Sequence, residues 1–227
     1  MNYTQLKTAI QDYTQNYETT FVADLPVFIT QAEQRIYNSV QFPSIRKNVN
    51  GILTSQNKYL TCPLDFLAPY SLAIYPQAGG NYTYLLNKDV NFIRECYPNP
   101  TDYGAPKYYA LFGPTTVSGN PPTITNELTF ILGPTPDAAY YAELHYYYYP
   151  ESITVAASGT TWLGDNFDSV LLYGSLIEAY TFMKGEADMM QLYNQKYMEA
   201  LSLAKRLGDG MERQDAYRSG QYRQKVG

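Results

Sequence analysis

The sequence predicts an α+β protein. Helices from the two ends of the chain form an antiparallel bundle, an antiparallel β-sandwich or small barrel is inserted between them, and an extended C-terminal tail follows. Three observations predict it. Apolar residues recur at helical spacing in the first forty residues and again after residue 165. Between those stretches 8 of the 14 prolines fall from Pro98 to Pro136, a density that excludes a helical domain there. The last twenty residues are polar, basic and punctuated by glycine, as in segments that order on a partner. The expected organisation is therefore a helical domain from residues 1–45 and 160–207, an inserted β domain at 46–159 and an arm at 208–227.

Leu6, Ile10, Tyr13 and Tyr17 mark a first helix, and Ile29, Ala32, Ile36 and Val40 a second one. Asp24 is placed to cap the second, with Pro26 in its first turn, where a missing N–H costs little. Strand candidates follow at 51–54, 59–62, 70–75, 82–86, 107–112, 127–132 and 140–149, separated by turn sequences such as Gln77-Ala78-Gly79-Gly80. In the last of them Ala142, Leu144, Tyr146 and Tyr148 share one face, and Tyr141, Glu143, His145 and Tyr147 the other. A short helix at 88–96, capped by Asn87, interrupts the series. Asp165 or Asn166 then opens a helix at 167–183 that is apolar on more than one side, so it is expected to be buried on both. Lys184-Gly185 ends it with Gly185 as the left-handed residue, and Met190, Tyr193, Tyr197, Leu201 and Ala204 mark a final helix up to Gly208. A connection this short makes the last two helices antiparallel.

The net charge of −5 is unevenly spread. Residues 196–227 carry 7 basic and 4 acidic side chains, while residues 1–195 stand at −8. An acidic body repels duplex DNA, so any DNA contact is one of passage or is confined to the tail. No apolar run approaches a membrane span, and the first five residues lack the basic and apolar blocks of a signal peptide, which predicts a product assembled in the cytoplasm. Cys62 and Cys96 lie 34 residues apart with no CxxC and no clustered histidine, so they read as reduced structural thiols, with no metal and no cofactor. Tyrosine is the outlier, at 25 of 227 residues, and suits strand faces and protein interfaces.

Catalytic signatures are missing: the sequence has no P-loop, no GxGxxG opening a helix, no HExxH and no nucleophile elbow. His145 is the only histidine and sits mid-strand beside Glu143, a pairing expected of a solvated strand face. The carboxylate pairs Asp165/Asp168 and Glu186/Asp188 lie at expected helix N-termini, where capping and the dipole favour them. An enzyme is not expected. In the tail, Tyr217, Arg218, Tyr222 and Arg223 are residue types that carry interface energy.

Four stretches, in order, resemble the head-to-tail adaptor proteins of tailed bacteriophages, of the type found between portal and tail in short-tailed phages. Phe28-Ile29-Thr30-Gln31-Ala32-Glu33-Gln34-Arg35-Ile36 is similar to the family's early helix with its Ala-Glu pair. Leu60-Thr61-Cys62-Pro63-Leu64-Asp65-Phe66-Leu67 resembles a strand-to-turn Leu-Pro-x-Asp-Phe-Leu segment, departing from it by the inserted Thr61-Cys62. Gly104-Ala105-Pro106-Lys107-Tyr108-Tyr109-Ala110 looks like the Gly-x-Pro-x-Tyr-Tyr lead into the later strands. Trp162-Leu163 with Asp168–Ala179 resembles the penultimate helix.

The resemblance implies a ring of twelve copies beneath the portal protein, carrying a tail nozzle or tubular protein and tail fibres, with DNA passing through its lumen unbound. It implies a virion location at the head–tail interface. It also implies that the C-terminal arm, through Met211, Arg213, Tyr217, Arg218, Tyr222, Arg223 and Lys225, reaches the portal. The β region, through Tyr82, Tyr84, Tyr108, Tyr109 and Tyr147, would face the tail. The alternative is a carbohydrate- or receptor-binding β module, whose tyrosine-lined strand faces stack on sugar rings.

Overall fold

A computed structural model describes residues 1–113 and 128–213 and, between them, only the backbone of two short strands; of 209–213 it describes the helix and not the side chains. In chain order the elements are α1 (Tyr3–Thr14), α2 (Thr19–Ser39), a 3-10 turn (Pro43–Ile45), β1 (Arg46–Leu53), β2 (Tyr59–Thr61), β3 (Ala68–Pro76), β4 (Thr83–Tyr84), β5 (Leu86–Asn87) and α3 (Val90–Cys96). They continue with β6 (Tyr108–Phe112), β7 (Thr116–Val117), β8 (Thr123–Ile124), β9 (Thr129–Gly133), β10 (Tyr140–Tyr147), α4 (Trp162–Asn166), α5 (Asp168–Met183) and α6 (Ala187–Arg213). The architecture is α+β. The contacts divide it into a helical unit, Met1–Ile45 with Tyr149–Gly227, and a β unit, Arg46–Tyr148.

The helical unit is organised around α5, which packs against α1, α2, α4 and α6. Its apolar residues on more than one side are buried as expected: Val170, Leu171, Leu176 and Ala179 are all withdrawn from solvent. Against them lie Leu6 and Ile10 of α1, Leu25, Ile29, Ala32 and Ile36 of α2, and Tyr193, Tyr197, Leu201 and Ala204 of α6. Each large aliphatic side chain in such a core contributes roughly 1.5–3 kcal/mol. Gly174 sets the spacing, because a Cβ there would lie 3.3 Å from both Ala32 Cβ and Tyr197 Cε2.

Several local expectations give way to packing. α2 starts at Thr19, so Asp24 is no cap and Pro26 sits inside the helix. The proline leaves the Val22 carbonyl without its helical donor, a cost met by burying Phe21, Leu25, Phe28 and Ile29 on one face. α4 is capped by Thr161, whose hydroxyl accepts the Gly164 N–H, while α5 begins at Asp168 after Phe167, which provides no side-chain cap. Lys184, not Gly185, takes the left-handed conformation (φ 53°), and Gly185 is needed because a Cβ there would collide with the Tyr180 ring. α6 does not stop at Gly208 but runs to Arg213. Gly208 is the next position in the buried stripe after Tyr197, Leu201 and Ala204. A Cβ on it would stand 3.1 Å from the Gln41 carbonyl oxygen, so this glycine permits close approach and does not terminate the helix.

Among the described residues the β unit is two facing four-stranded sheets, β1-β10-β3-β4 and β2-β9-β6-β5, with β7 paired to β8. The described strands pair antiparallel except β5 with β6, and an isolated parallel bridge joins Tyr103 to Thr135. Leu72, Ile74, Ala142, Leu144 and Tyr146 of one sheet meet Tyr109, Phe130 and Leu132 of the other, with Leu53, Cys62, Phe66 and Leu85 filling the space between. The expected strand at 82–86 is split. Residues 83–84 pair with β3, Leu85 turns inward, and 86–87 pair with β6, so the chain changes sheets at one buried leucine. α3, capped by Asp89 and not by Asn87, covers the outside of the second sheet through Ile93 against Ala110 and Ile131.

Candidate functional site

The outer face of sheet β1-β10-β3-β4 gathers the aromatic surface. Because Ala142, Leu144 and Tyr146 face the core, the alternation of β10 turns Tyr141, Glu143, His145 and Tyr147 outward, and the register sets Tyr141 opposite Tyr75 and Glu143 opposite Ala73. At one end the rings of Tyr75, Tyr82 and Tyr141 cluster, with centroids 4.8 Å and 5.2 Å apart, and Tyr84 projects beside them at 70 % exposure. At the other end Tyr70 and Tyr147 meet edge to face at 5.9 Å, and the Arg46 guanidinium lies 5.3 Å and 5.9 Å from their centroids. An open groove of about 460 Å³ runs past Arg46, Lys47, Asn48, Tyr70 and His145.

Between the two clusters His145 Nε2 stands 2.9 Å from Glu143 Oε1, the strand-face pair expected from the sequence. The histidine contact holds the Glu143 carboxyl below its ordinary value, and the Tyr82 hydroxyl, which donates to the same carboxylate, is pushed up by that negative charge. Exposed rings with hydroxyl rims offer apolar area and hydrogen-bonding groups side by side. Among the described residues no three His, Cys, Asp or Glu side chains come together to hold a metal. Burial pushes the Cys62 thiol up to about 12.

Of the five expected β-surface tyrosines, Tyr82, Tyr84 and Tyr147 belong to this face, and two do not. Tyr109 is 4 % exposed and packs edge-on against Phe130 in the core, so it presents no surface; β6 turns it inward where 107–112 read in isolation left the face open. Tyr108 lies on the opposite sheet, half-buried under α3 between Phe92 and Tyr97. Tyr75, Tyr70 and Arg46 were not singled out in the sequence, because their grouping with Tyr141 and Tyr147 depends on β1 and β3 lying on either side of β10 although distant in the chain. Of the expected arm, Met211 and Arg213 lie on the last turn of α6, and Tyr217, Arg218, Tyr222, Arg223 and Lys225 lie outside the described residues.

The four sequence motifs occupy structural positions. Ala32 faces Gly174, and Glu33, 2 % exposed, accepts the Ile153 N–H at 3.0 Å. Asp65 accepts from the Tyr146 hydroxyl at 2.8 Å and from Lys47 at 2.7 Å, while Phe66 stacks on Tyr146 and meets Phe130 edge-on. Burial alone would raise the Asp65 carboxyl, but those two hydrogen bonds hold it below its ordinary value. Gly104 donates its N–H to the Thr135 carbonyl at 2.9 Å, fixing the lead into β6. Trp162 meets Phe42 and Phe167 with tilted rings at 5.1 Å and 5.5 Å, and those two rings lie 5.2 Å apart.

The four motifs all secure the scaffold, and the described residues gather exposed tyrosines on one sheet face, an arrangement of the structural class. The family profile of the SU10 adaptor protein matches residues 1–224, and the chain belongs to that family. The family is a bacteriophage adaptor class, structural and not enzymatic, whose members work as virion components in contact with other phage head or tail proteins. Comparison with curated proteins gives no match. No helix among the described residues is long and apolar enough to cross a membrane.

Proposed function

We propose that this protein is the head-to-tail adaptor of a short-tailed phage connector, present as a ring of twelve copies. The ring docks beneath the portal protein, carries the tail nozzle and its fibres, and lets DNA pass through its lumen. The observation that carries the reading is the family match over nearly the whole chain, on a scaffold whose family-like motifs do architectural work. The charge distribution supports it: a body at −8 over residues 1–195 does not grip passing DNA, and a basic tail rich in tyrosine and arginine suits docking to a partner. In this reading the arm 211–227 engages the portal, and the outward face carrying Tyr82, Tyr84, Tyr141 and Tyr147 meets the tail.

Deleting residues 214–227 tests the arm. The truncated chain keeps its far-UV circular dichroism and loses attachment to the portal protein; attachment at full strength would remove the arm from the mechanism. Tyr84→Ala with Tyr147→Ala tests the other face, with loss of nozzle binding expected and portal binding retained. Recognition of glycans by the intact chain, lost on Tyr147→Ala, would instead establish the β unit as a sugar-binding module.

A further inference from the structure

Among the described residues Glu33 is the only carboxyl group withdrawn from solvent. Its Oε1 accepts the Ile153 N–H at 3.0 Å, while its Oε2, shut off from solvent as well, has no hydrogen-bond partner among them. The charged groups of the surrounding elements are engaged elsewhere or face water. Arg35 of α2 pairs with Glu178 of α5, Asp168 of α5 is exposed, and Glu151 is exposed on the preceding turn. The N-terminal ammonium donates to the Gly164 carbonyl, and Asp165 accepts from Thr160. What stands at Glu33 is hydroxyl: Ser152, which lies 3.3 Å from Thr30 Oγ1 and 2.9 Å from Thr154 Oγ1. A carboxylate buried without a cation is costly, and opening to water removes that cost.

The same carboxyl holds the segment by which the chain returns from the β unit. The chain passes between the two units at Ile45–Arg46 and again at Tyr148–Tyr149, and from 148 to 161 it forms neither helix nor strand. Within that stretch Ile153 alone is buried, against Gly164, where a Cβ would lie 2.8 Å from Ile153 Cδ1. Its other ties to α2 are single polar contacts: Tyr149 donates to Asn38 Oδ1 at 2.5 Å, and Ser152 meets Thr30. Val155, two residues beyond the anchor, is exposed. A segment with one buried side chain and few backbone bonds to its neighbours belongs to the part of a fold that opens locally.

We propose that Glu33 is a proton-dependent catch on this return segment: with the carboxyl protonated the segment stays seated on α2, and with it ionised the segment opens locally while α1, α2, α5 and α6 remain packed. The direction follows from burial, which raises the Glu33 carboxyl above its ordinary 4.5 against the hydrogen bonds from Ser152 and Ile153. The closed segment binds the proton more tightly than the open one. Closure is therefore complete below the ordinary carboxylate value and weakens as pH rises through the raised one. Opening withdraws Ile153 from Gly164 and frees the second of the two passages between the units.

Hydrogen exchange of the full chain tests it, with the Ile153 amide followed across pH and each rate divided by the chemical exchange rate of an unstructured amide at that pH. Protection is expected to fall about ten-fold per pH unit between the ordinary carboxylate value and the raised one, then to level off, while the amides of Leu171 and Leu176 in α5 keep theirs. Glu33→Gln retains an acceptor for Ile153 and flattens the profile. Ser152→Ala removes a hydrogen bond that favours the ionised carboxyl and moves the fall to higher pH, which keeps the test decisive should Glu33→Gln fail to fold. A flat profile in the parent chain overturns the catch, as does a fall that survives Glu33→Gln or one that Ser152→Ala leaves in place. Protection lost equally at Leu171 and Leu176 overturns it too, since the whole unit would then be unfolding.

Discussion

The helical unit and the β unit both bury aromatic rings, but they join their elements differently. In the helical unit the helices come close because side chains are removed at the crossings: Gly174 lets α5 against Ala32 and Tyr197, and Gly208 lets α6 against Gln41. In the β unit, large rings fill the gap between sheets, with Phe66, Tyr109, Phe130 and Tyr146 in mutual contact at 5.4–5.8 Å. The first construction leaves single apolar side chains such as Val27, Leu192 and Met198 on its outer faces. The second gathers tyrosines on one face and leaves a long strand at one edge of its sheet.

The comparison is broken most severely by removing a ring. Phe130→Ala, at a fully buried position, is expected to destabilise the protein by about 3–5 kcal/mol, read from the urea midpoint. Adding bulk does the equivalent damage to the helical unit. Gly174→Val should cost about 1–3 kcal/mol by forcing α5 away from Ala32 and Tyr197. An unchanged midpoint would mean that the helices are not held at that spacing. Tyr146→Phe keeps the ring and removes the donor to Asp65, with an expected loss of about 0.5–1.5 kcal/mol that largely vanishes in an Asp65→Ala background, where no acceptor remains.

Glu33 sharpens the contrast through pH. Burial raises its carboxyl above the ordinary 4.5 against the opposing hydrogen bonds from Ser152 and Ile153. The native state therefore holds this proton more tightly than the unfolded chain. Stability from this group is fully present below the ordinary carboxylate value and is lost as pH rises through the raised one. Glu33→Gln keeps an acceptor for Ile153 and removes the titration. Its melting temperature relative to the parent protein should rise across that window, and parallel curves would show that Glu33 does not titrate there. Smallest of all, Tyr84→Ala should change stability by no more than about 0.5 kcal/mol, since the ring is 70 % exposed, while weakening contact with the tail partner.

The broad plan was legible because it rests on period. Helical spacing of Leu6 and Ile10, of Ile29, Ala32 and Ile36, and of Tyr193, Tyr197 and Leu201 corresponds to buried stripes, and the alternation of β10 puts Ala142, Leu144 and Tyr146 inside. What the sequence hid is what depends on distant neighbours. Pro26 and Gly208 look like helix ends by local rule, but one is carried by a buried face and the other is required by a passing backbone. Tyr109 looked equivalent to Tyr108 until β9 fixed which of them faces Phe130. The aromatic face was half visible, as the odd-numbered residues of β10, and became a surface only once β3 and β4 brought Tyr75, Tyr82 and Tyr84 beside it.

The most direct test of the adaptor reading is the native mass of the purified full chain, first alone and then with the portal protein of the same particle. The account predicts that portal converts the chain into a closed multi-copy ring bound to it, with twelve copies per complex. A chain that remains a single copy, unmoved by portal at concentrations well above those of assembly, would contradict it.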